Sequence, residues 1–377
     1  MPLWRVTIWD KRFNSVEKSK QPLVKNYPYL LAADLFALEK EGGDVFLLST
    51  GERTGWTTEE LAGENLREGE VVAIPWGKSR PVAEVIKYYN GKFVTADNRI
   101  ATSADCNKLD NKYLFYWMQS QGRTIDSFYR GSGLKHPNMK DVLDLQIPLP
   151  PIEVQREIVR ILDNFAELTA ELTMELTMEL TARKKQYEYY RDKLLQYVFG
   201  YVKVSLEDIS ENCDNQRKPV TSGNRESGEY PYYGASGIVD YVNDYIFDGD
   251  YLLVSEDGAN LLARNTPIAF SISGKNWVNN HAHILKFKTY ETRKFVEYYL
   301  NSIDLTTFIS GGAQPKLNQK NLNKIPIPIP SQEKQKYIVA ILDRFDTLCN
   351  DLTTGLPAEI EARQKQYEYY RDKLLTF

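Results

Sequence analysis

The chain has 377 residues, 47 Lys and Arg against 51 Asp and Glu, a net charge of −4 and 42% apolar residues. That balance excludes general disorder and a grip on nucleic acid by bulk charge alone, and no run of about 18 apolar residues offers a membrane span. Three distant cysteines, Cys106, Cys213 and Cys349, exclude a disulfide framework and a compact cysteine-based zinc site.

In chain order, the first stretch, Met1–Asp10, has no apolar signal core, so a cytoplasmic protein is expected. Residues 1–150 read as a mixed domain. Val71–Ile74 and Val82–Ile86 suit strands, and Lys112–Gln119 suits a short helix. Residues 151–200 read as a long helix that starts after Pro150–Pro151. Its apolar series, Ile158, Ile161, Phe165, Leu168, Leu172, Leu176, Leu180, Arg183, Tyr187, Tyr190, Leu194 and Tyr197, advances by about 3.5 residues, the period of a coiled-coil seam. Within it lie three tetrads, TAEL, TMEL and TMEL, over Thr169–Leu180, with Glu167, Glu171, Glu175 and Glu179 in a file that reads as a solvated face or a partner contact. Residues 201–330 read as a second mixed domain, with strands at Tyr251–Val254, Thr266–Ile272 and His283–Phe287 and a helix at Arg293–Asn301. Residues 331–377 read as a second long helix, in which Gly355 and Pro357 predict a kink or short break.

The organisation comes from an internal repeat of 180 residues. Ala182–Leu195 and Ala362–Leu375 agree at 13 of 14 positions, and Ile147–Phe165 agrees with Ile327–Phe345 at 11 of 19 without a gap. Asn138 and Lys140 likewise match Asn318 and Lys320, and Gly69–Ile74 sits 180 before Gly249–Val254. Trp4–Ile8 resembles Val202–Leu206 in pattern only. The apolar series recurs at Ile338, Ile341, Phe345, Leu348, Leu352, Leu356, Ile360, Arg363, Tyr367, Tyr370, Leu374 and Phe377. Two such stripes are expected to pack on each other, antiparallel and about a pseudo-twofold axis. Phe165, Leu172, Leu176, Tyr187, Tyr190, Phe345, Leu352, Leu356, Tyr367 and Tyr370 are the candidates for that helix-pair interface or for a partner subunit.

Catalytic signatures are absent from the sequence: no phosphate-binding Gly-Lys loop, no G-x-S-x-G, no H-E-x-x-H and no C-x-x-C. His281 and His283 alternate on an expected strand, and as a lone pair they read as core or surface residues. Gly234–Gly237 reads as a turn.

Tyr230–Asp240 (YPYYGASGIVD), followed by Phe247–Gly258 (FDGDYLLVSEDG), resembles the target-recognition pattern of the specificity subunits of type I restriction–modification systems. Gly311–Pro330 with Glu333 and Gln335 resembles their junction into the conserved region, and Gly131–Pro150 with Glu153 and Gln155 is its first-half counterpart. The resemblance runs over essentially the whole chain. It implies an α+β fold of two DNA target-recognition domains held apart by two long antiparallel helices, a coiled-coil strut with pseudo-twofold symmetry. It implies a non-catalytic chain that reads a bipartite sequence in double-stranded DNA and recruits two modification subunits, with two restriction subunits in complexes that cut DNA. S-adenosylmethionine would sit on the modification subunits, ATP and Mg on the restriction subunits, and no cofactor on this chain. Candidate phosphate contacts are Lys78, Arg80, Arg99, Lys135 and Lys140 in the first domain, and Arg264, Lys275, Lys316 and Lys320 in the second. Two other readings of the residues stay open at this point: a duplicated scaffold without a DNA role, and an enzyme hidden within the mixed domains.

Overall fold

The computed structural model describes every residue except 78–79, 132–134, 197–200, 258–259, 265, 312–313, 352 and 377. It divides into two units, Met1–Glu175 with Ile360–Phe377, and Leu176–Glu359.

The first unit is built on a six-stranded sheet. Its strands are β1 (Thr7–Trp9), β2 (Val45–Leu48), β3 (Trp56–Thr57), β4 (Arg67–Pro75), β5 (Lys87–Thr95) and β6 (Asn98–Ser103), in the order β1-β6-β4-β5-β2-β3. All neighbours are antiparallel except β2 and β5. Helix Asn111–Ser120 starts where the Asp110 carboxylate accepts the N–H groups of Lys112 and Tyr113, and it buries Tyr113, Leu114 and Trp117 against the sheet residues Val72, Ile74 and Ala101. The expected strand at Val82–Ile86 is a correction: Val82–Val85 is a helical turn. Pro81 precedes it, and the Val82 N–H goes to the Asp126 carboxylate, so a tertiary contact overrides the β-branched composition.

The second unit has two four-stranded sheets. One runs Glu211–Asn212, Ala282–Lys286, Tyr251–Ser255, Ala269–Ile272 and is antiparallel throughout. The other runs Gly237–Val242, Ser227–Gly234, Lys275–Val278, Phe247–Asp248, with its middle pair parallel. Helix Tyr290–Ser302, capped by Thr289, packs Phe295, Val296 and Tyr299 on Leu252, Val254 and Leu285.

Both domains open and close alike. A short helix (Leu3–Val6 or Leu206–Ile209) leads into an edge strand of a main sheet, Thr7–Trp9 or Glu211–Asn212. The Leu3 N–H bonds the Leu145 carbonyl at 2.9 Å, and the Leu206 N–H bonds the Ile325 carbonyl at 3.1 Å. The structural counterpart of Leu3 is thus Leu206, a different alignment from the one the sequence pattern offered.

The segment after the first domain is one helix, Ile152–Gln196, of 45 residues. Its repeat is two helices of 19 residues, Gln332–Asn350 and Leu356–Leu374. The break falls where Gly355 and Pro357 lead the sequence to expect it. The Asp351 carboxylate takes the Thr353 and Thr354 hydroxyls, and a Cβ on Gly355 would lie 2.6 Å from the carbonyl oxygens of Thr347 and Asp351. These long helices pack into the cores. Ile158, Leu162 and Leu375 are buried in the first unit, and Ile338, Leu342 and Leu195 in the second. No helix among the described residues is long and apolar enough to cross a membrane.

Candidate functional site

The first arrangement joins each mixed domain to its long helix. Gln155 is fully buried: its amide donates to the carbonyls of Lys108 and Pro150, both at 2.8 Å, and its oxygen accepts the Asp110 N–H at 3.0 Å. Gln335, its repeat mate, donates to the Pro330 carbonyl and accepts from the Thr292 hydroxyl, both at 2.8 Å. Two turns on, Asp163 accepts from the Tyr116 hydroxyl at 2.6 Å and Lys112 at 2.8 Å, and Asp343 accepts from Tyr298 at 2.6 Å and Tyr290 at 2.7 Å. Burial first, and then these carboxylates, push the Tyr116 and Tyr298 hydroxyls well above the usual phenol range. Helices Asn111–Ser120 and Tyr290–Ser302 are therefore bolted to the same face of the repeated helix. Gln155 and Gln335 stood in the junction motif, but their role is invisible to periodicity, which marks a face and not a partner.

The second arrangement lies at the end of each central strand. In the second domain the buried His283 bonds the Asp214 carboxylate through Nδ1 and the Leu317 carbonyl through Nε2, both at 2.6 Å. Both partners are acceptors. Arg217 reaches Glu256 at 2.6 Å, and Lys316 meets the other Glu256 oxygen at 3.1 Å. Burial alone would raise Asp214 and Glu256. The His283 bond and the Arg217 and Lys316 charges outweigh it and hold both carboxyls below their ordinary values. His281 is a different case: exposed, it pairs with Asp257 at 3.0 Å. Among the described residues no group of His, Cys, Asp and Glu is placed to hold a metal ion.

The candidate phosphate contacts fall in several environments. Lys135, Lys140, Lys275 and Lys320 are exposed. Arg80 is exposed and paired with Glu52. Lys316 is half exposed on Glu256. Arg99 is buried, paired with Asp97 at 2.7 Å and lying 3.8 Å over the Trp76 ring. Arg264 donates to the Ile303 carbonyl at 2.7 Å and so ties off helix Tyr290–Ser302. Lys78 lies outside the described residues.

Of the interface candidates, Phe165 meets the Tyr370 ring at 6.1 Å, and the two line one groove with Leu172 and Tyr367 in the first unit. In the second unit Phe345 meets Tyr187 and Tyr190 at 6.3 and 5.8 Å. Leu176 is half-buried, Leu356 is buried, and Leu352 lies outside the described residues. Leu168, counted in the stripe, is 60% exposed, whereas Leu162 and Leu195, not counted, are buried. Near its ends a long helix packs on its domain as well, so its buried face is wider than a seam.

A profile of the type I restriction modification DNA specificity domain (Methylase_S) matches residues 26–182 and again 200–362. The type I restriction enzyme EcoR124I/EcoR124II specificity subunit of Escherichia coli is 33% identical over 312 residues, 74% of each chain. The putative type I specificity subunit S.MpnORF201P of Mycoplasma pneumoniae is 32% identical over 249 residues, 62% of this chain and 97% of that one. The putative specificity subunit S.HindORF215P of Haemophilus influenzae is 42% identical over 175 residues, so this chain spans only 45% of that relative. In fold, the chain is similar to the S subunit of a type I restriction-modification system from M. genitalium, with a TM-score of 0.50 at 16% identity, covering 100% of this chain and 96% of that one. A chain from a type I R-M system solved for its assembly and conformational transition gives 0.55 at 18% identity over 82% of each.

Proposed function

We propose, from the premise that this chain belongs to the type I restriction modification DNA specificity family, that its two mixed domains each read one half of a split DNA sequence. By its family the chain recognises DNA sequence-specifically and is a specificity subunit, not a catalytic one. The observation that carries the two-part reading is the duplicated joint: Gln155 with Asp163, and Gln335 with Asp343, fasten two different domains to the same helix face. We take residues 1–150 and 201–330 as the two target-recognition domains, and 151–200 and 331–377 as the conserved helices. Those helices form an antiparallel strut with pseudo-twofold symmetry. The exchange of helix ends supports it: each core takes the start of one repeat and the end of the other, Ile158 and Leu162 with Leu375, and Ile338 and Leu342 with Leu195.

The partners are double-stranded DNA, two S-adenosylmethionine-binding modification subunits that methylate adenine and, in a cutting complex, two ATP- and Mg-dependent restriction subunits, all in the cytoplasm. The exposed tyrosines of the repeat, Tyr189, Tyr190, Tyr369 and Tyr370, suit a partner surface, since a tyrosine buries much apolar area and keeps a hydroxyl. Phosphate contacts come from Lys135, Lys140, Lys275 and Lys320, with Lys78 and Arg80 as further candidates in the first domain. Arg99 and Arg264, also candidates, are held by Asp97 and by the Ile303 carbonyl. A net charge of −4 leaves part of the phosphate grip to the modification subunits. Methylation sequencing of a host with and without this gene tests the function: one bipartite adenine-methylated motif should vanish with the gene, and an unchanged methylation pattern would refute it.

A further inference from the structure

One edge of the two domains matches residue for residue in the structure, although the sequences there differ. Ile74 pairs with Arg99, and Val254, 180 positions on, pairs with His283. The next residue in each case, Ile100 or Ile284, donates its N–H to a buried carboxylate, Asp10 or Asp214. Two positions beyond Ile74 and Val254 stand Trp76 and Glu256. Facing them are His136 and Lys316, equivalent members of a small antiparallel pairing, opposite Arg130 and Ser310 respectively. In the first domain the His136 ring stacks on Trp76 with centroids 4.5 Å apart, and its Nδ1 is 2.9 Å from the Trp76 carbonyl oxygen. In the second domain Lys316 is held by Glu256. Its neighbour Leu317 is fixed through both main-chain groups, to the Glu256 carbonyl at 2.8 Å and to His283 at 2.6 Å.

We propose that His136 and Lys316 are specificity-determining residues, each reading a base in the half-site of its own domain. The inference rests on the DNA-reading function above. The two residues occupy one place in the repeat yet differ in chemistry, whereas Asn138 and Lys140 nearby are identical to Asn318 and Lys320. A side chain identical in both domains cannot tell two different half-sites apart. Both are accessible yet anchored, Lys316 being 50% exposed, so little freedom remains to be lost when DNA binds. Their chemistry separates base edges. In the tautomer that donates Nδ1–H to the Trp76 carbonyl, Nε2 is the acceptor, which fits the amino edge of adenine or cytosine. Lys316 carries only donors, which fit O6 and N7 of guanine.

The test uses the full chain assembled with its modification subunit. Equilibrium binding is measured on the cognate duplex and on duplexes changed by one base pair in either half, across a salt series. His136→Ala should lose about fivefold to a hundredfold of discrimination at one position of the first half-site, and Lys316→Ala the same in the second. The other half and the salt slope should stay as in wild type. Lys316→Arg, which also recognises guanine, should restore the preference. Lys140→Ala serves as the contrast, weakening all duplexes alike and lowering the salt slope by about 1. Lys316→Ala behaving like Lys140→Ala, or discrimination intact in both single variants, would overturn the inference. A wild-type complex with no preference for the cognate duplex would instead overturn the DNA-reading function itself.

Discussion

Gln335 shows how much one uncharged side chain can fix. Its amide ties the turn before the helix to helix Tyr290–Ser302, and both its bonds are buried. Gln335→Leu leaves the Pro330 carbonyl and the Thr292 hydroxyl without that partner, at a cost of about 1–3 kcal/mol. Thermal unfolding of the full chain should show the transition of the second unit lowered and that of the first unmoved. Lys87 is a second case, set by burial. Desolvation alone lowers its amine to about 8 from 10.5, while it donates to the Ser49 carbonyl and hydroxyl. Between those two values the unfolded chain holds a proton that the folded chain has released. By linkage, stability therefore rises with pH across that window. Denaturant melts at pH 8 to 10 should show the rise in wild type and its loss in Lys87→Met. Neither role is legible in the sequence: a lysine on an alternating strand reads as a solvent-facing residue until the loop that covers it is placed.

Among elements, the break between Gln332–Asn350 and Leu356–Leu374 was legible because Gly and Pro act locally. The central strands, at Arg67–Pro75 and Tyr251–Ser255, were legible because their apolar runs are buried on both faces. Val82–Val85 was not, because its conformation is decided by Asp126, 44 positions away. The helix stripe was half legible. The 3.5-residue period located the helices but missed Leu162 and Leu195, which face the domains. At the break, Gly355→Ala places a methyl group against two carbonyl oxygens at 2.6 Å. A cost of about 1–3 kcal/mol is expected, read as a lower melting temperature of the full chain. An unchanged melt would mean that the turn relaxes freely.

For the whole molecule, the sequence gives away the duplication and hides the correspondence between the two domains. Their helices match by identity, whereas Leu3 with Leu206 and Arg99 with His283 match only by hydrogen bonds and strand register. The tetrads carry the prediction at this scale. Deleting Thr173–Leu176 removes four residues of the 45-residue helix, about 6 Å of rise and about 40° of rotation. Set against about 3.4 Å per base pair, the gap between methylated half-sites should shorten by one to two pairs. Methylation sequencing of the deletion strain reads this directly, and the parent motif with its original gap would sink the spacer role. The paired ends of each domain have a further consequence. Leu3 is clasped to Leu145, and Leu206 to Ile325, so each domain leaves its fold beside the point where it entered. Whatever lies between can change in length or sequence without moving the exits. A lineage can therefore exchange a whole interior as a cassette, acquiring a new recognition word while the joints that its partners depend on stay as they were.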